Sequence, residues 1–136
     1  MRRVLVALLV LTGGFALSCG DSGPSGPDPS KDPVAGWLKV RLTTPNADDG
    51  GIMFAISGGQ IDSVKSAYSE FYMSSVGASK RVIVAGTLPT GSIVAEILIP
   101  NIEQASNYSA TVEQVAAKDT YQQRSASGVS LVLEGY

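Results

Sequence analysis

Residues 37–57 read WLKVRLTTPNADDGGIMFAIS, and this stretch decides the fold class. Its first part places Leu38, Val40 and Leu42 at alternate positions with polar residues between them. Because the side chains of a β-strand point alternately to opposite faces, this spacing predicts a strand with one apolar and one hydrated face. A loop rich in Asn, Asp and Gly follows. Gly51 to Ser57 then form a second predicted strand, whose apolar residues occupy both faces.

Short apolar runs bounded by Gly, Pro, Asn, Asp or Ser continue towards the C-terminal end, as is typical of strands. They predict two short edge strands within 61–76 and further strands at 81–86, 92–99, 108–116 and 129–133. The reverse-turn sequence Leu88-Pro89-Thr90-Gly91 predicts that strands 81–86 and 92–99 pair as a hairpin. A single helical turn is expected at 102–106.

About seven or eight strands in roughly a hundred residues, with frequent turn signals, predict an all-β domain. We expect a single β-sandwich with a jelly-roll or immunoglobulin-like arrangement, and a closed barrel is the alternative. The predicted domain spans residues 35–136 of the 136-residue chain.

The N-terminal segment has the order of a secretory signal. Arg2 and Arg3 precede an apolar run from Val4 to Leu11, and small residues lie near the predicted cut, which follows Ser18. The run is too short for a membrane-spanning helix, which needs about 20 apolar residues. We therefore predict a cleaved signal peptide at residues 1–18.

The only cysteine of the chain lies in Ala16-Leu17-Ser18-Cys19-Gly20, which resembles the lipobox of bacterial lipoproteins. The resemblance implies that Cys19 is acylated and becomes the mature N-terminus, so that the lipid attaches the protein to the membrane. Gly20 after the cysteine, in place of aspartate, implies the outer membrane. The alternative is an ordinary secreted protein with a free thiol, which is prone to unwanted pairing outside the cytoplasm.

Residues 19–34 are rich in Gly, Ser, Pro and Asp, which predicts a disordered linker that holds the domain away from the lipid. Removal of Arg2 and Arg3 with the signal leaves 8 basic residues against 12 acidic ones, a net charge of −4. This balance argues against a nucleic-acid partner, which needs clustered Lys and Arg.

The order of strands from Leu38 to Leu133 is similar to that of cohesin-like sandwiches, which are surface domains with an approximately jelly-roll arrangement. The similarity is one of strand spacing, through segments such as 52–57, 82–84 and 91–99. It implies adhesion or protein recognition and no catalysis, and it carries no partner-binding residue to this chain.

The absence of histidine excludes Ser-His-Asp and Cys-His nucleophile systems and histidine-rich metal sites. Two carboxylates suffice for a small glycan hydrolase, which is therefore the alternative among enzymes. Glu96 is the one acid within a strongly apolar strand. Alternation places it on the solvent face with Val94 and Leu98, so we interpret it as a solvated residue.

Asp48 and Asp49, with Asp62 or Asp119, could gather around Ca²⁺, because this ion takes several oxygen ligands from loops. The favoured interpretation is a tight turn, which uses the same residue types. We predict no cofactor.

Five of the aromatic residues have two interpretations: a platform for sugars or peptide, or core packing. Core packing is favoured for all five, and least firmly for Tyr72 and Tyr121; they are Trp37, Tyr68, Tyr72, Tyr108 and Tyr121.

The leading functional hypothesis is a non-enzymatic binding or structural module on a lipid anchor, with a protein or glycan ligand. A third hypothesis is an accessory subunit of an envelope complex that uses the edge strand near 68–76 for β-augmentation.

Overall fold

A computed structural model describes residues 32–135. Within them lie nine strands and one short 3-10 helix at Ile102–Asn107. The strands are β1 (Gly36–Thr43), β2 (Asp49–Ser57), β3 (Ser63–Lys65), β4 (Glu70–Val76), β5 (Ser79–Ala85), β6 (Ile93–Ile99), β7 (Ser109–Ala117), β8 (Gln123–Arg124) and β9 (Ser130–Gly135). The predicted signal peptide, Cys19 and most of the predicted linker lie outside the described residues.

The strands form two antiparallel sheets, one of four strands in the order β3-β6-β1-β9 and one of five in the order β4-β5-β2-β7-β8. The predicted all-β sandwich is therefore confirmed. The described part of the chain holds nine strands where seven or eight were expected, because β8, with two residues, is too short to show a pattern.

The core consists of the apolar residues that alternation assigned to the inner faces. Leu38 and Val40 of β1 and Phe54 and Ile56 of β2 are completely buried. Each fully buried side chain of this kind stabilises the fold by about 1.5–3 kcal/mol relative to its exposed state. The first two strands lie in different sheets, so their inner faces meet across the sandwich.

The predicted hairpin between residues 81–86 and 92–99 is wrong. β5 pairs with β2 and β4, whereas β6 pairs with β1 and β3, so the turn at 88–91 carries the chain from one sheet to the other. Leu88 is buried in the core, and the Gly91 amide donates to the Leu42 carbonyl at 2.7 Å. These contacts hold the turn across the edge of the sandwich.

The hairpin of this region joins β4 and β5 instead. Val76 pairs with Ser79, which leaves the two-residue turn Gly77-Ala78. Gly77 has φ of +61°, a conformation that glycine adopts without steric cost and that short hairpin turns favour.

The position predicted for Val94 is also wrong, because this residue is completely buried. Val40 pairs with Ala95 and Arg41 with Ile93, so Val94 is the extra residue of a β-bulge. A bulge interrupts strict alternation and brings two successive side chains towards the same face. Glu96 does lie on the outer face, where it is half-buried.

The segment 61–76 contains β3 and β4, each at the edge of a different sheet, as predicted. The short helix also agrees with the sequence, and its N-cap residue Asn101 accepts from the Glu103 amide at 3.0 Å. None of the helical structure within 32–135 is long and apolar enough to cross a membrane.

Candidate ligand-binding face

The outer face of the five-stranded sheet carries a shallow depression with a floor of small residues. Gly51 of β2 pairs with Ala85 of β5 on one side and with Ala116 of β7 on the other, which makes a row of small residues across three strands. The next row consists of Ile83, Met53 and Gln114, paired in the same way. Small side chains in one row beside long ones in the next leave a cavity of about 370 Å³.

Two exposed tyrosines stand at opposite edges of this face. Tyr72 belongs to the edge strand β4, where it pairs with Ile83, and 62% of it is exposed. Tyr121 lies in the turn between β7 and β8 at the other edge, with 67% exposed, and it lines the cavity together with Gln123. At about 4.8 Å per strand spacing, the two edges are roughly 19 Å apart.

A second, smaller depression of about 170 Å³ continues the cavity towards the edge strand. Ile83 lines both depressions, and Tyr72 lines the smaller one with Ser74 and Arg81. We call the combined surface between Tyr121 and Tyr72 the tyrosine trough.

The backbone of Tyr121 is held in an unusual conformation. Its φ is +53°, in the left-handed region that bulky side chains rarely adopt. Its amide donates to the Ala117 carbonyl at 3.0 Å, and the Ala117 amide donates to the Gln122 carbonyl at 2.9 Å, which fixes the turn. Such strained residues cluster at functional sites, because a special conformation persists only where the surroundings impose it.

The core interpretation is therefore wrong for Tyr72 and Tyr121 and correct for Tyr108. Tyr108 is 8% exposed, and its hydroxyl donates to the Gln60 carbonyl at 2.7 Å. Trp37 and Tyr68 are half-buried. Among the tyrosines within residues 32–135, the two on which the sequence argument was least firm are the two most exposed to solvent.

The outer face of the four-stranded sheet has a different chemistry. Lys65, Glu96, Lys39 and Glu134 are successive cross-strand neighbours, so charges of opposite sign alternate across the sheet. The Lys65 ammonium lies 2.7 Å from the Glu96 carboxylate and 4.0 Å from the centre of the Trp37 ring. The partners of these charges are already in place, which makes this a hydrated structural face.

Asp48 and Asp49 hold the loop before β2. Arg124 donates two hydrogen bonds of 2.6 Å to Asp48, and it lies 3.3 Å from Asp49. Asp49 is 2% exposed and accepts from the hydroxyl of Thr44 at 2.5 Å and from the side-chain amide of Asn46 at 3.1 Å. These contacts support the tight-turn interpretation.

Of the other carboxylates of the calcium hypothesis, Asp119 lies in the neighbouring turn, where the Lys118 amide donates to the Asp48 carbonyl at 2.8 Å, whereas Asp62 lies elsewhere. Asp62 follows the opposite end of β2, where it accepts from Gln60 at 2.6 Å. Within residues 32–135 there is no group of three or more acidic or sulfur side chains arranged to hold a metal ion.

Two surface ion pairs predict a loss of stability in acid. Arg124 holds the pKa of Asp48 below its usual range through a hydrogen-bonded contact, and Arg41 does the same for the pKa of Glu134. A carboxylate with a lowered folded pKa stabilises the fold above its unfolded pKa, near 4, and this contribution disappears as the pH falls through the folded pKa.

We therefore expect the thermal midpoint to decrease once the pH is lowered below about 4, where the carboxylates take up protons. Arg41→Gln removes one of the two ion pairs and leaves the buried core unchanged, so the thermal midpoint of this variant should fall less between neutral pH and pH 2. Calorimetry of both chains between neutral pH and pH 2 checks this. Identical pH profiles would contradict the role given to the Arg41–Glu134 pair.

No protein-family model, no curated protein and no solved structure matches this chain. The resemblances to the lipobox and to cohesin-like sandwiches therefore stay predictions. Sequence reasoning did not single out Met53, Ile83, Gln114 or Gln123 as site residues. The apolar residues on both faces of β2 were the signal that its outer face is more than a hydrated surface.

Proposed function

We propose that the protein is a lipid-anchored binding module of the cell envelope, and that the tyrosine trough binds a neutral glycan. The observation that carries the proposal is the pair of exposed tyrosines at opposite edges of a floor of small residues. The anchor in this proposal is Cys19, in the outer membrane, and residues 20–34 form the tether. The module acts by binding, without catalysis.

The chemistry of the trough suits a sugar chain. A tyrosine ring offers a flat apolar face for the C–H faces of a pyranose and a hydroxyl for hydrogen bonding. Gln114 and Gln123 supply amides that both donate and accept, as sugar hydroxyls do. The volume of about 370 Å³ lies within the range of roughly 300–1,000 Å³ typical of small-ligand sites.

The charges around the trough favour a neutral ligand. Among the described residues that line the larger depression, none is ionisable except Tyr121. Arg81 lines the smaller depression, but Glu113 accepts from it at 2.7 and 3.0 Å, which balances its charge. A uronic acid or phosphate would find no unpaired cation among these residues.

The hydrolase alternative would need two carboxylates beside a bound sugar. Four carboxylates of the domain are engaged elsewhere: Asp48 and Asp49 bind Arg124, while Glu113 and Glu134 bind arginines on the sheet faces. None of the described carboxylates lines either depression of the trough.

The test is binding of the chain to an array of neutral and acidic glycans, followed by titration calorimetry with the best ligand. Tyr72→Ala and Tyr121→Gly should each lower the affinity about tenfold or more, because truncation of an aromatic anchor commonly costs at least about 1.4 kcal/mol. Val132→Ala, an exposed apolar residue on the opposite outer face, is the matched control and should bind like the original chain.

Tyr121→Gly separates a ligand role from a structural one. Glycine adopts the left-handed conformation freely, so the stability should stay within about 1 kcal/mol of the original while glycan binding falls. Binding that survives both tyrosine substitutions, or an array that shows no neutral glycan, would contradict the proposal.

A further inference from the structure

Strand β4 is an edge strand without the features that normally protect an edge. It has seven residues, and its pairing with β5 runs from Glu70 to Val76 without a bulge. It contains no proline and no lysine, and Tyr72, Met73 and Val76 are all about half exposed or more. A long, regular edge with exposed apolar side chains is a template for pairing with another strand.

The other edge strands in residues 32–135 are better protected. β3 has three residues and ends in Lys65, which is engaged with Glu96, and β8 has two residues. β9 has six residues but also contacts β7 of the other sheet and the short helix. Among the edge strands within residues 32–135, β4 is therefore the one that lacks protection against pairing with another strand.

We propose that β4 pairs antiparallel with β4 of a second copy of this chain, about a two-fold axis at Tyr72. The two-residue turn makes Val76 and Ser79 a hydrogen-bonded pair. Every second residue from Val76 back to Glu70 therefore directs its backbone N–H and C=O groups towards β5. The amides and carbonyls of Phe71, Met73 and Ser75 then point outwards and are free for the second copy.

The Tyr72-centred register is self-complementary on both faces. On the inner face it places Phe71 opposite Met73 of the second copy, and the two-fold axis repeats this contact. The outward backbone groups of these residues are then in position to form hydrogen bonds between the copies. On the outer side Tyr72 meets Tyr72. A register centred on Met73 would instead place Phe71 opposite Ser75 and Tyr72 opposite Ser74, pairing apolar with polar residues.

The charges agree with the same register. Glu70 of each copy comes opposite Ser74 of the other, and Ser74 is paired with Arg81. Arg81 uses its Nε and Nη2 for Glu113, so its Nη1 is the group that can donate to the acid of the second copy at each end of the interface. An interface that satisfies the same residues twice is the geometry of a two-fold dimer. The acid–cation approach and the paired apolar residues favour a second copy over an unrelated strand.

The dimer would also join the two outer faces. The row of Tyr72, Ile83, Met53 and Gln114 runs perpendicular to the strands, so the axis at Tyr72 continues it into the second copy. The pairing itself rests on β4 alone and does not depend on what the tyrosine trough binds.

Cysteine cross-linking tests the register in the full chain within its own envelope. In the proposed dimer the two Cα atoms at position 72 are about 4.5–5.5 Å apart, within the range of a disulfide. Position 74 lies on the same face, but its two copies are about 14 Å apart, because four residues separate them along the strand. Ser74→Cys is therefore the matched control for Tyr72→Cys.

We expect mild oxidation to convert most of the Tyr72→Cys chain to a covalent dimer on a non-reducing gel, and Ser74→Cys to give no more dimer than the original chain with Cys19 alone. Equal cross-linking at both positions, or none at position 72, would overturn the proposal.

If the Tyr72→Cys chain does not accumulate, analytical sedimentation of the detergent-solubilised full chain tests the proposed dimer instead. The original chain should dimerise reversibly, and Met73→Lys should remain monomeric, because an edge lysine opposes strand pairing. An original chain that stays monomeric at all concentrations would equally overturn it.

Discussion

Replacing Cys19 with alanine is expected to abolish acylation and leave the precursor unprocessed or misprocessed by the lipoprotein peptidase. The thiol is the only acylation site that the lipobox resemblance implies, and it is the only cysteine in the chain. A single acyl chain holds a protein marginally and two or three hold it firmly, so the whole membrane attachment would depend on this residue. Mass spectrometry of the N-terminal peptide and membrane fractionation measure the effect.

Ser22→Ala, in the predicted linker, is the matched control and should leave both the lipid mass and the fractionation unchanged. The folded domain should be unaffected in either variant, because its described contacts begin after residue 31. An unmodified Cys19 in the native protein, or a mature chain that starts elsewhere, would show that the lipoprotein interpretation is wrong.

Asp49→Ala, at the first residue of β2, should cause a large loss of stability. Asp49 is buried, and its removal leaves two donors, the Thr44 hydroxyl and the Asn46 side-chain amide, without their acceptor. Arg124 loses one contact and keeps Asp48. Loss of one partner from such a buried charged network costs about 2–4 kcal/mol. For a domain of this size, that corresponds to a fall of roughly 10–25 °C in the thermal midpoint.

Asp48→Ala is the matched control, since Asp48 binds the same arginine from the solvent side. Its loss should be much smaller, because an exposed ion pair contributes little. The pair of variants also separates the turn interpretation from a calcium site. With a calcium site, a chelator would lower the thermal midpoint and both substitutions would be costly. The tight turn predicts no effect of a chelator and a large loss of stability for Asp49→Ala alone.

The sequence predicted the class of fold because alternation survives in most strands. Leu38, Val40 and Leu42, and likewise Ile52, Phe54 and Ile56, are buried as their spacing required. Inward-facing residues of a strand must be apolar wherever the partner sheet covers them, so this signal is local and can be read from one chain.

The pairing of strands could not be predicted in the same way. A turn such as 88–91 looks alike whether it closes a hairpin or crosses between sheets, and the choice depends on distant partners. Here Gly91 bonds to Leu42 and Leu88 to Asp49, contacts that span more than 35 residues of sequence. The bulge at Val94 is equally non-local, because the register of β1 produces it.

The candidate site was partly visible in the sequence. Tyr72 and Tyr121 were recognised as the aromatic residues with the weakest claim to the core, but nothing local showed that they stand on the same sheet. That depends on the order β4-β5-β2-β7-β8, which places β4 and β8 at opposite edges. The partnership of Arg124 with Asp48 spans 76 positions and left no sequence signal.

The most direct test of the tyrosine trough is a nuclear magnetic resonance titration of a chain that starts at Asp32, with the best neutral oligosaccharide from the array. We expect amide shifts concentrated at Gly51, Met53, Ile83 and Ala116, with ring shifts of Tyr72 and Tyr121, and an unchanged four-stranded sheet. Shifts confined to the four-stranded sheet around Lys39 and Glu96, or the absence of shifts at saturating ligand, would contradict the account.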